Sequence, residues 1–191
     1  PASAGQDAEV ELEISLEDAY HGTQKSIALQ VQEPDGQGRW IAKRKHIDVK
    51  IPAGTRDGTR IRLRGQGGKG SHGGPDGDLY IKIRLAKHSL FRVEDFDLEA
   101  DLPITPWEAA LGANVQASTL DGRVTVHIPA GSNSGQRLRL KGKGLPMKSG
   151  KRGDQYLRLQ IAVPNALSGE EKELYQKLAH ISTFDPRRNM K

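Results

Sequence analysis

The chain has 191 residues, of which 35% are hydrophobic and 5% aromatic, with 22 Gly, 10 Pro and a net charge of +5. That is lean for one large core and workable for two small ones. The absence of cysteine excludes disulfides, thiolate metal sites and cysteine nucleophiles. No apolar run approaches the ~20 residues of a membrane helix, and no signal peptide is visible. The start at Pro1 without a methionine reads as a piece of a longer protein.

Short alternating runs punctuated by Gly and Pro predict a turn-rich β protein. In chain order, a first strand over Val10–Ile14 leads into a short helix. Ser15 and Asp18 form the expected capping box, and Gly22 ends the turn. A long hairpin is expected around Pro34-Asp35-Gly36. Ile51-Pro52 closes a strand, since Pro cannot donate to a ladder. Strict alternation then puts Arg60, Arg62 and Arg64 on one face and Ile61 and Leu63 on the other. Thr105 and Glu108 cap a second helix with Pro106 at its first position. Asp121-Gly122 marks a hairpin. Arg137, Arg139 and Lys141 alternate with Leu138 and Leu140. Ser168-Gly169-Glu170-Glu171 opens a helix of about 13 residues, in which Leu174, Leu178 and Ile181 form one apolar stripe. Such a helix is marginal alone and must dock on its own domain or on a second chain.

An internal repeat organises these elements. Ile51–Gly67 aligns with Ile128–Gly144 at an offset of 77, and Ile14–Gly22 aligns with Ile104–Gly112 at an offset of 90. The first copy is therefore longer between its blocks by about 13 residues, which fits the longer hairpin. Charge clusters in the repeated strands. Residues 39–64 carry nine Lys/Arg against Asp48 and Asp57, and residues 137–152 carry seven with no acid. The cluster reads as a solvated basic face or as a polyanion-binding one.

Catalytic constellations were sought and not found. Gly65-Gln66-Gly67-Gly68-Lys69-Gly70 matches G-x-G-x-x-G, but Ser71-His72-Gly73-Gly74-Pro75 follows where a pyrophosphate-binding helix would have to start. The six histidines are dispersed, so neither a metal site nor a cofactor is expected. Glu17-Asp18 and Glu170-Glu171 lie in helix first turns, where the macrodipole accounts for them. An enzyme is not expected.

Leu16-Glu17-Asp18-Ala19-Tyr20-His21-Gly22, Ile51-Pro52-Ala53-Gly54 with Asp57-Gly58, and Pro106-Trp107-Glu108-Ala109-Ala110-Leu111-Gly112 together resemble the C-terminal region of DnaJ-type co-chaperones. The resemblance spans Val10 to Arg187. The lack of cysteine matches the zinc-free class. Gly142-Lys143-Gly144-Leu145 and Phe184-Asp185-Pro186-Arg187 resemble its bacterial, curved-DNA-binding branch.

The resemblance implies two tandem β-sandwich domains, each with a short helix, and a C-terminal dimerisation helix. The corresponding boundaries are a tail over 1–8, a first domain over 9–92, a second over 93–166, and the helix and tail over 167–191. It implies unfolded client polypeptides, a DnaK-type chaperone and a second copy of the chain as partners, with double-stranded DNA as the alternative, in the bacterial cytoplasm or nucleoid. No membrane is implied. The J domain lies outside these residues, so they are not expected to stimulate a DnaK ATPase.

Carried over by position, Val10, Leu12, Ile14, Lys25, Ile27, Leu29 and Phe91 would line a client groove. Arg44 and Lys45 would hold the acidic tail of the partner chaperone. Val10, Leu12 and Ile14 read equally well as core, and Phe91 could plug the domain junction. Arg60, Arg62, Arg64, Arg137, Arg139 and Lys141 are the DNA candidates, and Leu174, Leu178 and Ile181 the dimer candidates.

Overall fold

The computed structural model describes residues 2–35 and 37–190; Gly36 of the expected hairpin and the terminal Pro1 and Lys191 lie outside them. The elements run β1 (Ala8–Ile14), α1 (Leu16–His21), β2 (Thr23–Pro34), β3 (Trp40–Ile51), β4 (Arg60–Leu63) and β5 (Leu79–Leu85) in the first unit. The second has β6 (Phe91–Glu94), β7 (Asp97–Ile104), α2 (Pro106–Leu111), β8 (Ala113–Thr119), β9 (Gly122–Ile128), β10 (Arg137–Leu140) and β11 (Gln155–Ile161). Helix α3 (Gly169–Ile181) follows. The fold is mainly β, as the alternation predicts.

Each unit packs a mixed sheet against a two-stranded hairpin. The first sheet has the order β1-β5-β4 and faces β2-β3; the second has the order β10-β11-β7-β6 and faces β8-β9. The repeat is preserved in register. Val10 lies opposite Ile81 in the parallel β1-β5 pair, and Ala100 opposite Leu157 in the parallel β7-β11 pair. The length difference sits in the hairpins, with 12 residues per strand in β2 and β3 and seven in β8 and β9. Ile14, Val49, Ile51, Leu79, Ile81 and Ile83 form the first core. Alternation turns every second side chain of these strands inward.

Two expectations need correction. Strand β6 pairs with β7 and belongs to the second sheet, so the change of sheet falls before Phe91, ahead of the boundary expected after residue 92. The α1 capping box is half formed. Ser15 accepts from the Asp18 N–H at 3.0 Å, while the Asp18 carboxylate is held by Lys25 at 2.8 Å. Both boxes with a longer Glu at the third position close fully, Thr105 with Glu108 and Ser168 with Glu171.

The two units share a core through α1. Leu16 and Tyr20 are buried in the second unit's cluster with Phe91, Leu98 and Leu145. The Tyr20 hydroxyl donates to Asp121 at 2.6 Å, and Arg152 stacks 5.0 Å from the ring centroid while donating to the same hydroxyl. Gly54 completes the contact. It has φ +83°, and a Cβ there would lie 1.9 Å from the Pro146 carbonyl oxygen, so only glycine fits. Arg56, paired with Asp95, lies over the Phe96 ring at 4.4 Å.

The Tyr20 hydrogen bond, with Lys143 and Arg152 beside it, holds the Asp121 carboxyl below its ordinary value of 3.8. A depressed carboxylate contributes stability that is fully present above the ordinary value and lost as pH falls through the lowered one. Tyr20→Phe should therefore raise the Asp121 titration midpoint toward 3.8, read by carboxyl carbon NMR. It should also cost about 1–2 kcal/mol in urea unfolding at neutral pH. An unmoved Asp121 midpoint would contradict the assigned cause.

Candidate functional site

The strand order leaves β1 and β2 each with one unpaired edge. Among the described residues, strand β1 bonds only to β5, and β2 only to β3. Between them lies a groove of about 440 Å³, lined by Ala8 and Val10 on one side and by Leu29, Val31 and Trp40 on the other. Its floor and end come from Gln66, Gly67, Gly68 and Lys69 of the glycine-rich loop. That loop is held in place by backbone bonds. Gly68 N–H donates to the Gln6 carbonyl at 2.8 Å, and Gly67 N–H to the Gly77 carbonyl at 2.8 Å. Lys69 closes it on Asp76 at 2.8 Å.

The sequence-expected groove residues are thus distributed unevenly. Val10 and Leu29 line this space. Leu12 and Ile27 are half-buried against the first core. Ile14 is 2% exposed and belongs to that core. Lys25 is engaged by Asp18. Phe91 is 5% exposed; it lies in the second core and lines a separate cleft at the junction with Arg56, Leu85 and His88. The residues missed are Val31, Trp40 and the loop 66–69. Continuing the β2 alternation from Ile27 and Leu29 reaches Val31, and Trp40 is a large apolar side chain left 56% exposed.

Arg44 and Lys45 are neighbours on β3 and face opposite ways. Lys45 is opposite Leu29, on the groove side, whereas Arg44 is opposite Gln30 on the outer face. Asp76 is held below the ordinary carboxylate range mainly by Lys69, with smaller contributions from the Gly70 N–H and the Lys45 charge.

The basic strand faces are largely neutralised, and the same way in both units. Arg60 pairs with Glu9 at 2.8 Å and lies over the Tyr80 ring at 4.6 Å. Its counterpart Arg137 pairs with Glu99 at 3.4 Å and lies over the Tyr156 ring at 4.2 Å. Arg62 donates to Asp78 at 2.7 Å, and Arg139 to Asp154 at 2.8 Å. Each aspartate also accepts a backbone N–H, from Gly65 or Gly142, at 2.8 Å. That backbone bond is the main reason both carboxyls sit below the ordinary range, and the arginine adds to it. Arg64 and Lys141 have no carboxylate partner among the described residues. Four of the six DNA candidates are therefore internal ion-pair partners.

Leu174, Leu178 and Ile181 lie on one side of α3 with exposures of 63%, 57% and 65%, and no residue of that helix is buried. With Pro106, Trp107, Ala110 and Leu111 of α2, Leu174, Tyr175 and Leu178 enclose an apolar groove of about 390 Å³. Among the described residues, no group of His, Asp and Glu side chains is arranged to hold a metal ion. Among the same residues, no helix is long and apolar enough to cross a membrane.

A family model described as DnaJ C terminal domain matches residues 8–164. A Coxiella burnetii protein named Curved DNA-binding protein is 48% identical over 187 residues, covering 97% of this chain and 59% of that protein. Proteins of the same name from Pseudomonas syringae pv. tomato and Pseudomonas putida are 48% and 47% identical, covering 100% and 96% of this chain and 61% and 58% of theirs. The chain spans about three-fifths of the length of these relatives.

Proposed function

We propose that this chain, which belongs to the DnaJ C-terminal domain family, is a non-catalytic module that holds extended apolar client segments for hand-over to a DnaK-type chaperone. The observation that carries this reading is the unpaired β1 edge facing an apolar groove. An extended peptide can add to such an edge, main-chain bonds giving affinity and pockets giving selectivity. Burying roughly 200 Å² of apolar surface is worth about 5 kcal/mol at ~25 cal/mol/Å². That gain alone corresponds to a Kd of about 0.2 mM; main-chain bonds add to it and ordering and association costs oppose it, so binding is weak, which suits a factor that must release its client. Lys45, on the groove side, is the better placed of the two β3 candidates to meet an acidic tail of the partner chaperone.

Two copies would recover avidity, and the α2-α3 groove supports a dimer. The internal repeat aligns Pro106 and Ala110 with Leu16 and Tyr20. In the first unit these positions are buried against the second unit. In the second unit the equivalent positions are more open, with Pro106 half-buried and Ala110 exposed, beside the apolar Trp107 and Leu111, which are 50% and 79% exposed. The Tyr175 hydroxyl in the same groove is screened from solvent without a hydrogen-bond partner among the described residues.

A second reading, binding of double-stranded DNA, is favoured by the name of the relatives and by one cation-rich segment of the second unit. Residues 122–153 hold eight Lys/Arg and no Asp or Glu. Glu99, Asp121 and Asp154 reach four of them, Arg137, Arg139, Lys143 and Arg152. Arg123, Lys141, Lys148 and Lys151 have no carboxylate partner among the described residues. Lys148 and Lys151 sit on a small hairpin fixed by the Met147 N–H to Lys151 carbonyl bond at 2.8 Å and the Pro146–Arg152 bridge. Both activities are placed in the bacterial cytoplasm, the second at the nucleoid.

Three outcomes test these readings. A fluorescent, extended apolar peptide should bind saturably at physiological salt, and Leu29→Asp, once shown to be folded, should abolish the anisotropy change; a folded parent that does not bind sinks the groove. Leu174→Asp with Leu178→Asp should convert a dimer to a monomer by light scattering, and an unchanged mass would remove α3 from the interface. For duplex DNA, Lys141→Gln/Lys148→Gln/Lys151→Gln should flatten the slope of log affinity against log salt by about 0.9 per lost phosphate contact. Arg62→Gln/Arg139→Gln should change that slope far less, and the reverse order would put the contacts back on the paired arginines.

A further inference from the structure

The second unit fills the edge that the first leaves open. Strand β7 is the repeat counterpart of β1, and its second edge is taken by β6. The antiparallel pairs are Phe91 with Ala100, Arg92 with Glu99, Val93 with Leu98 and Glu94 with Asp97. Subtracting the repeat offset of 90 turns these partners into Val10, Glu9, Ala8 and Asp7. Leu98, under β6, is 1% exposed, whereas its counterpart Ala8 is exposed and lines the groove.

Charge marks the same vacancy independently. Glu99 is shared between two arginines, Arg92 of β6 at 2.9 Å and Arg137 of β10 at 3.4 Å. Glu9, its counterpart, meets only Arg60 among the described residues, at 2.8 Å, and Arg60 is the repeat equivalent of Arg137. The position that Arg92 fills on Glu99 is empty on Glu9. The exposures agree, with the Glu9 side chain 51% exposed and that of Glu99 24%.

We infer that β6 is an in-chain copy of the client, so that the β1 edge takes an extended segment running antiparallel to β1, with a large apolar residue opposite Val10 and a basic residue next to it opposite Glu9. This rests on the client-binding reading and gives it an orientation and a sequence preference. The apolar residue turns inward as Phe91 does, and alternation turns its neighbour outward to the carboxylate. Val10 is larger than Ala100 and takes up part of the room that Phe91 uses, so leucine or methionine serves as well as phenylalanine. The Glu9 contact is exposed, so its selectivity weakens with added salt.

The test uses the full 191-residue chain and a labelled, end-blocked peptide copying Ser89–Glu94. Saturable binding is expected. Phe91→Ala in the peptide should weaken it about tenfold or more, and Arg92→Glu in the peptide about three- to tenfold. Glu9→Lys in the protein should reverse the preference, favouring the glutamate peptide over the arginine one. Should Glu9→Lys fail to fold, Glu9→Gln should erase the preference. If apolar peptides bind and are lost with Leu29→Asp, yet ignore the Arg92→Glu change or the charge reversal at Glu9, this inference is overturned while the groove stands. If no extended apolar peptide binds the folded parent, the client-binding reading falls and takes this one with it.

Discussion

A strand edge exposes a row of N–H and C=O groups that must be covered, solvated or paired. In this fold the parallel pairs β1-β5 and β7-β11 place a strand at the sheet margin next to the hairpin in both units. The second unit closes that margin with β6, four residues long and tied by Arg92 to Glu99 and Asp101. The first has no equivalent strand among the described residues, and its margin meets a groove instead. One architecture, repeated, thus yields a closed structural copy and an open one. The asymmetry comes from a linking segment that belongs to the second sheet.

That segment also explains how the units hold together. The chain leaves β5, crosses the junction and enters β6 with Phe91, which is buried beside Leu16 and Tyr20 of the first unit. Closing the β7 edge and joining the two cores are therefore one packing event. The Tyr20–Asp121–Arg152 contacts and the close approach of Gly54 to Pro146 fix the same junction from the other side. A junction with a shared apolar core and an aligned polar cluster resists relative motion better than polar contacts alone.

The architecture was legible in the sequence because it rests on local signals. The repeat, the period-two alternation of Ile61/Leu63 and Leu138/Leu140, and the capped helices needed only neighbours within a few positions. The pairing of β6 was not legible. Phe91-Arg92-Val93-Glu94 is short, and its partner strand follows at once, so position alone assigns Phe91 to the preceding domain. The fate of the basic faces was hidden for another reason. Arg60 and Arg137 are neutralised by Glu9 and Glu99, 51 and 38 residues earlier, across strand pairings that no spacing reveals. Arg44 and Lys45 were misgrouped although alternation was enough to separate them, since placing Leu29 on the groove face puts Lys45 there and Arg44 opposite.

Charge pairing on these faces bears on how one fold can meet two kinds of partner. An outer sheet surface whose arginines are stacked on Tyr80 and Tyr156 and bound to carboxylates offers little to phosphate, because breaking each pair would expose an uncompensated acid to the polyanion. Attraction for a polyanion must then come from cations without such partners, and among the described residues Lys141, Lys148 and Lys151 of the second unit are three of these, close together in the chain. The groove proposed for clients lies in the first unit, on the edge of β1. The two surfaces are separated by the junction, and neither uses the side chains of the other. The two proposed readings therefore do not compete for the same residues.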